Sequence, residues 1–260
     1  TLVTLKSREG GKIYYTLDGT DPRRSGGQVA TKAILYAKPI IINEGVLVTA
    51  RVYKTTHRSL TGSNNPPLTS KWSGPLTHFY SVTPPPATED LLISELHYHP
   101  SDPSPGELST DPTFKSSDFE FFELLNFSQK TLNLSGLTVA GEVRFSFLEG
   151  DNKSLNPGER VLLVRNAKAF AARYGPNISI GGVYTGKLSN SGGRLEIVDQ
   201  SGKLILELNY QDDWIPVTDG RGFSLVAKKL TPQGEMDGAE YWGASLNIHG
   251  SPGVPDNHLE

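Results

Sequence analysis

Glu95, His97 and His99 alternate along the run Leu91–Tyr98 and the residue after it. That run is rich in β-forming side chains, and the two-residue period of a strand puts Leu92, Leu96 and Tyr98 on one face and the acid and imidazoles on the other. Two imidazoles and a carboxylate at this spacing suit Zn²⁺ or a similar ion, with Glu120 of a neighbouring strand as a further oxygen. The competing reading is an exposed polar face at the rim of a sheet. A second group, Asp212, Asp213 and Asp219, lies beside Trp214 and is joined at a distance by Asp237. Clustered oxygens of this kind suit a structural calcium ion, the one cofactor these acids could hold; the same acids also suit loops and turns. Asp18 and Asp21 invite the same comparison, but Asp18-Gly19-Thr20 reads first as a turn whose side chains satisfy its own N–H groups.

Sugar-binding sites stack pyranose rings on exposed aromatic faces, for which Trp72 and Trp214 are the leading candidates beside Tyr14, Tyr80, Tyr241 and Trp242. Aromatic residues make up 9% of the chain, and two cores must be filled from them, so few remain for a binding platform. Hydrolytic chemistry finds less support. No serine sits in a Gly-x-Ser-x-Gly elbow, and Ser189-Asn190-Ser191-Gly192-Gly193 lacks the lysine and the helix of a phosphate loop. Cysteine is absent, which excludes disulfides, thiolate metal sites and a cysteine nucleophile. No catalytic residue is therefore assigned, and the chain is not expected to be an enzyme.

The elements that must carry these residues follow from composition. The 260 residues carry a net charge of −3, with no basic face for nucleic acid or membrane surfaces. No apolar run reaches the ~18 residues of a membrane span. Gly 27 and Pro 18 are too many for long helices and fit many short strands joined by turns, so the expected class is all-β. Ser81–Asp90, with three consecutive prolines, reads as an extended spacer, dividing the chain into modules 1–82 and 91–255 with a linker at 83–90.

In the first module strands are expected at Lys12–Thr16, Ile40–Ile42, Val46–Val52 and Thr77–Val82, with Asn43-Glu44-Gly45 as a hairpin connection. In the second they are expected at Leu91–Tyr98, Phe119–Asn126, Arg144–Phe147, Arg160–Val164, Arg194–Val198, Leu204–Tyr210 and Phe223–Val226. Asp199-Gln200-Ser201-Gly202 is a turn between two of these. One short helix interrupts them: Asn166 caps it, Ala167, Phe170, Ala171 and Tyr174 form its apolar stripe, and Gly175-Pro176 ends it. Several short strands with one covering helix suggest a sandwich.

The string IYYTLDGTDPR, Ile13–Arg23, followed by Ala33–Tyr36, Pro39-Ile40 and VLVTARVY, resembles the chitobiase/β-hexosaminidase C-terminal domain, an immunoglobulin-like module. The second module resembles a bacterial lamin tail domain through an ordered series: LLISELHYHP from Leu91, FEFFELLNFSQKTLNLSGLTV from Phe119, LNPGERVLLV from Leu155, the Phe170–Gly175 helix, LSNSGGRLEIVDQSG from Leu188, DGRGFSL from Asp219 and SPGVPD from Ser251. Pro100–Lys115 departs from that pattern as an insertion, and the stretch Tyr210–His249 is longer than a minimal sandwich needs. The two resemblances together imply tandem immunoglobulin-like β-sandwiches, the second with one short helix. They also imply a non-catalytic role as spacer, adhesion or protein-docking units in a large exported bacterial protein, at the cell surface or outside it. Partners would be other domains of the same chain, cell-surface proteins or, alternatively, carbohydrate bound for a secreted enzyme. Thr1 follows neither an initiator Met nor a signal segment, so the chain reads as a piece of a longer protein, and Leu259-Glu260 as a cloning scar.

Overall fold

Alternating apolar residues bury one face of a strand, whereas near-continuous apolar runs such as FFELL and RVLLV have no solvent side to offer and must be covered on both faces. Both situations occur in the computed structural model, which describes residues 2–43, 45–56, 70–80, 84–147, 154–228 and 236–256. The chain divides into two compact units, residues 1–84 and 85–260.

The first unit contains β1 (Leu2–Val3), β2 (Lys12–Thr16), β3 (Ile34–Leu35), β4 (Ile40–Ile41), β5 (Val46–Tyr53) and β6 (Leu76–Tyr80). They form an antiparallel sheet in the order β3-β2-β5-β6 and a two-stranded pair, β1 with β4. Val3, Ile40, Ile42 and Val48 form its core, with Tyr15, Tyr36, Val46 and Tyr80 packed around them. The Asp18 turn closes as expected: the Thr20 N–H and hydroxyl both donate to Asp18 Oδ1, while the Gly19 N–H donates to Leu47 O. Glu44, within the expected hairpin connection, and residues 81–82 of the last strand lie outside the described residues.

The second unit contains β7 (Leu91–His97), α1 (Pro105–Thr110), β8 (Phe121–Asn126), β9 (Leu132–Asn133), β10 (Thr138–Gly141), β11 (Val143–Ser146), β12 (Ser154–Leu155), β13 (Arg160–Val164), α2 (Ala167–Tyr174), β14 (Gly182–Val183), β15 (Thr185–Gly186), β16 (Gly193–Val198), β17 (Leu204–Tyr210), β18 (Leu225–Ala227) and β19 (Trp242–Ala244). Two sheets face each other, a six-stranded one in the order β14-β13-β8-β7-β18-β19 and a five-stranded one in the order β15-β11-β10-β16-β17. Side chains from both sheets meet in one core, including Leu91, Ile93, Leu96, Phe122, Leu124, Val139, Ile197, Leu206 and Trp242. This is an all-β sandwich in which each large buried side chain contributes about 1.5–3 kcal/mol.

Three features depart from expectation. The alternation along β7 slips: the register with β8 shifts between Ile93 and Glu95. Leu91 and Ile93 therefore join Leu96 and Tyr98 in the main core between the sheets, while Leu92, equally buried, is not part of that cluster. Second, the insertion Pro100–Lys115 contains the short helix α1, so the described residues of this unit hold two α-helices. Ser104 and Glu107 form a reciprocal capping box at α1, and Glu107 is then clamped by Arg173 of α2 at 2.7 and 3.2 Å. Third, the end of the expected linker is part of the second unit. The Ala87 N–H donates to Asp90 Oδ2, the Phe127 N–H to Asp90 O, and Lys130 pairs with the Asp90 carboxylate.

Helix α2 is the covering helix, capped by Asn166, whose side chain accepts from Lys168 N and Ala169 N. It packs Phe170 on Phe121, Leu162 and Val164, the outer side of the six-stranded sheet. Arg173 closes the joint: its side chain is 2% exposed, and its guanidinium lies 3.5 Å from the Phe119 ring centre. Burial pushes the Glu107 carboxyl up, but Arg173 and the Ser104 N–H outweigh it and hold the group down at about 2. Arg173→Ala should therefore destabilise the second unit by about 3 kcal/mol, because it strands a buried carboxylate as well as losing packing. Urea unfolding followed by circular dichroism measures it; a loss near zero would show that the clamp is idle.

Candidate functional site

The side of the six-stranded sheet turned away from the main core carries acids where apolar residues would be expected. Glu95 on β7 and Glu123 on β8 are cross-strand partners, 2% and 1% exposed. The segment that follows β19 crosses over them. Glu95 Oε1 accepts the Ser251 N–H at 2.9 Å and the Ser224 hydroxyl at 2.5 Å, and its Oε2 lies 3.3 Å from Ser251 Oγ. Glu123 Oε2 accepts the Gly253 N–H at 2.7 Å, while its Oε1 accepts the Ser94 hydroxyl at 2.6 Å and pairs with Arg160 Nε at 2.9 Å. Gly250 has φ +86°, and a Cβ there would collide with Glu95 Oε1, so glycine is required for both reasons. The space enclosed by Ser94, Glu95, Glu123, Arg160, Val226 and Ser251 is only about 10 Å³. That admits about one water and no substrate.

A second pair of acids does the same work elsewhere in the unit. Glu120, 0% exposed, accepts the Leu188 N–H at 2.8 Å and faces Tyr184 and Arg165. Glu142 accepts the next N–H, that of Ser189, and the Tyr210 hydroxyl. The Gly193 position is filled by the Glu142 carboxylate, which a Cβ would strike. The loop expected to act as a turn is therefore pinned by two carboxylates.

These positions correct several expectations. Glu95 and His97 do not form an exposed rim: both are buried, and the acid across from Glu95 is Glu123, Glu120 lying ahead of β8. His97 packs against Phe121 at 5.5 Å between ring centres. Neither of its ring nitrogens has a hydrogen bond of ordinary geometry, although the Phe223 backbone is near enough to favour the protonated ring slightly. His99 turns instead to Asp219, its Nδ1 lying 2.5 Å from Oδ1. Asp237 binds the N–H and side-chain amide of Asn209. Among the described residues no three His, Asp or Glu side chains come close enough together to hold a metal ion, so neither Glu95/His97/His99 nor Asp212/Asp213/Asp219 is assembled as a ligand set. Asp21 is clamped by Arg51 at 2.8 and 2.7 Å, which lowers its carboxyl. Trp72 is no stacking platform: it is 4% exposed, packs on Tyr14 and Tyr53, and donates its indole N–H to Gly27 O at 2.7 Å. Trp214 is half-buried against the main core.

Burial pushes the Glu95 carboxyl up to about 8 and Glu120 up to about 7, and raises Glu123. Burial holds the His97 imidazole down to about 3 and lowers that of His249. A carboxyl raised in the fold takes up protons that the unfolded chain releases. The stability this supplies is complete below the unfolded value of 4.5 and is lost as pH rises through the folded values. The imidazoles, lowered from 6.5, act oppositely, and their contribution is lost as pH falls below 6.5. Above pH 6.5 the raised carboxyls set the direction of the change, so the second unit should lose about 2 kcal/mol between pH 6.5 and 9. Thermal melts at both pH values check this, and Glu95→Gln should remove most of the difference. A flat profile in the native chain would mean that these carboxyls are not raised.

No curated protein matches the chain. A crystal structure of a DUF4876 family protein from Bacteroides thetaiotaomicron VPI-5482 is similar at 14% identity with a TM-score of 0.30. The match covers 72% of this chain and spans 62% of that one. Residues 3–77 match the family model described as Fn3 associated, and residues 84–212 that described as Lamin Tail Domain; no enzymatic family is indicated. The chain thus carries an Fn3-associated domain followed by a Lamin Tail Domain, the latter an immunoglobulin-like β-sandwich.

Proposed function

We propose that the two units are non-catalytic structural and interaction modules of a larger exported bacterial protein, serving as spacer and docking units for its other domains. One observation carries the reading: every buried carboxylate among the described residues is committed to the fold. Asp90, Glu95, Glu107, Glu120, Glu123 and Asp199 each hold a backbone N–H of a turn, loop or crossing segment. A general acid or base must meet a substrate, and the space over Glu95 and Glu123 has no room for one. Export rests on the resemblance of the first unit to the chitobiase C-terminal domain and on the use of lamin tail modules in exported proteins. No helix among the described residues is long and apolar enough to cross a membrane. Carbohydrate binding is the weaker reading, since Trp72 is enclosed and Trp214 is partly covered.

The test is a glycan array together with reporter substrates for glycoside, ester and phosphodiester cleavage, using the whole 260-residue chain. Neither turnover nor glycan capture is expected. Reproducible binding of one glycan class that Trp214→Ala abolishes would replace this reading with a carbohydrate-binding one, and turnover lost in Glu123→Gln would replace it with an enzymatic one.

A further inference from the structure

Most arginines of the second unit are neutralised by an acid. Arg160, Arg165 and Arg173 pair with Glu123, Glu120 and Glu107, and Arg194 pairs with Glu196 and Glu207. Arg144 on β11 breaks that habit. Its neighbours Val143 and Phe145 point into the main core, so Arg144 stands on the outward face of the five-stranded sheet, exposed, and its guanidinium has no acid or other acceptor among the described residues. The acids closest along the strands are already engaged. Glu142 holds the Ser189 N–H and the Tyr210 hydroxyl, and Glu196, cross-strand from Ala140, is paired with Arg194. Arg144 lines an open groove of about 460 Å³ together with Thr138, Ala140, Gly141, Val183 and Thr185. That volume lies in the range of ligand sites, ~300–1,000 Å³. Ala140 and Gly141 carry too little side chain to fill it, and Val183 leaves 47% of its surface uncovered. The Thr185 hydroxyl reaches the Arg144 carbonyl at 3.4 Å, so its oxygen is left to accept an N–H. β15, which carries Thr185, is the last strand of its sheet.

We propose that this groove docks an acidic, extended segment of another domain, with an Asp or Glu carboxylate of that segment seated on the Arg144 guanidinium and an aliphatic neighbour set against Ala140 and Val183. The proposal rests on the docking reading above and gives it a partner of defined chemistry. Charge complementarity carries it. A guanidinium presents a planar fork that takes both oxygens of a carboxylate, and here no acid of the chain occupies that fork. Lys187, directly after β15, is also exposed and has no acid partner among the described residues, so the field at this end of the sheet is positive. Thr138 and Thr185 supply hydroxyls for the amide groups of an extended backbone. A sugar acid would offer the same carboxylate, but it would find no ring to stack on. No Trp or Tyr lines the groove, and Phe145 is only 9% exposed.

Fluorescence anisotropy on the whole 260-residue chain tests the groove with two pools of labelled pentapeptides, one with a central Asp or Glu flanked by Val, Leu or Ile, the other with a central Lys in the same setting. The acidic pool is expected to bind with an apparent Kd of about 1 mM or tighter, and the Lys pool not to bind. Arg144→Ala, which removes the fork, and Ala140→Trp, which fills the groove, should each weaken the acidic pool at least about tenfold while circular dichroism stays that of the native chain. Arg221→Ala, which removes an exposed arginine that does not line the groove, should leave binding unchanged. No binding of the acidic pool, or the same loss in Arg221→Ala as in Arg144→Ala, would overturn the proposal and leave the docking reading to another surface. Capture of oligogalacturonate more tightly than the acidic pool, lost in Arg144→Ala, would make the groove a sugar-acid site and overturn both.

Discussion

The second unit depends on one recurrent interaction, a buried carboxylate on or beside a strand that accepts the backbone N–H of a segment crossing it. A crossing segment that is not itself a strand in the sheet has amide groups with no ladder to join, and a buried amide without a partner costs about as much as a lost hydrogen bond. Glutamate has the reach to supply the acceptor from the sheet below. Glu95 and Glu123 take the N–H groups of Ser251 and Gly253, and Glu120 and Glu142 take those of Leu188 and Ser189. The donors fall one or two residues apart, so each pair of acids fixes both the position and the direction of the chain it holds.

This arrangement favours specificity over raw stability. Desolvating a carboxylate is costly, and of these four acids Glu123 and Glu120 have an arginine close by to offset it. An apolar replacement at Glu95 would be cheaper for the sheet but would leave Ser251 N and the Ser224 hydroxyl unpaired. The crossing segment could then settle in several registers, since its own apolar side chains are largely exposed and do not choose among them. The acids thus trade folding free energy for a single placement of the chain.

Much of this was legible in residue patterns, and what escaped did so for identifiable reasons. Strands at Lys12–Thr16, Arg160–Val164 and Leu204–Tyr210, and the helix Ala167–Tyr174 with its Asn166 cap, fall where composition and spacing put them. Helix α1 escaped because proline, glycine and serine dominate its segment, yet Ser104 followed three residues later by Glu107 is a capping signature visible in the sequence. The faces of β7 were misassigned because strict alternation cannot reveal a register shift, and the slip beyond Ile93 sends Leu91 and Ile93 into the core between the sheets and leaves Leu92, still buried, outside that cluster. The buried acids were read as exposed because the strand's partner lies more than 150 residues away: Ser251 is separated from Glu95 by 156 positions. No local window contains both.

The same separation explains why the acid-and-imidazole pattern imitates a metal site without being one. A zinc site needs side chains whose lone pairs converge on one point. Along β7 the shared face is real, since Glu95 and His97 are both turned from the main core, but each is claimed by a different neighbour. Glu95 is drawn to Ser224 and Ser251, His97 lies on Phe121, and His99, beyond the strand's end, swings to Asp219. Period two brings side chains to one face; only the elements packed over that face decide whether their polar atoms meet. Here a helix and a crossing segment occupy it, and the chemistry implied by spacing is used up in holding them.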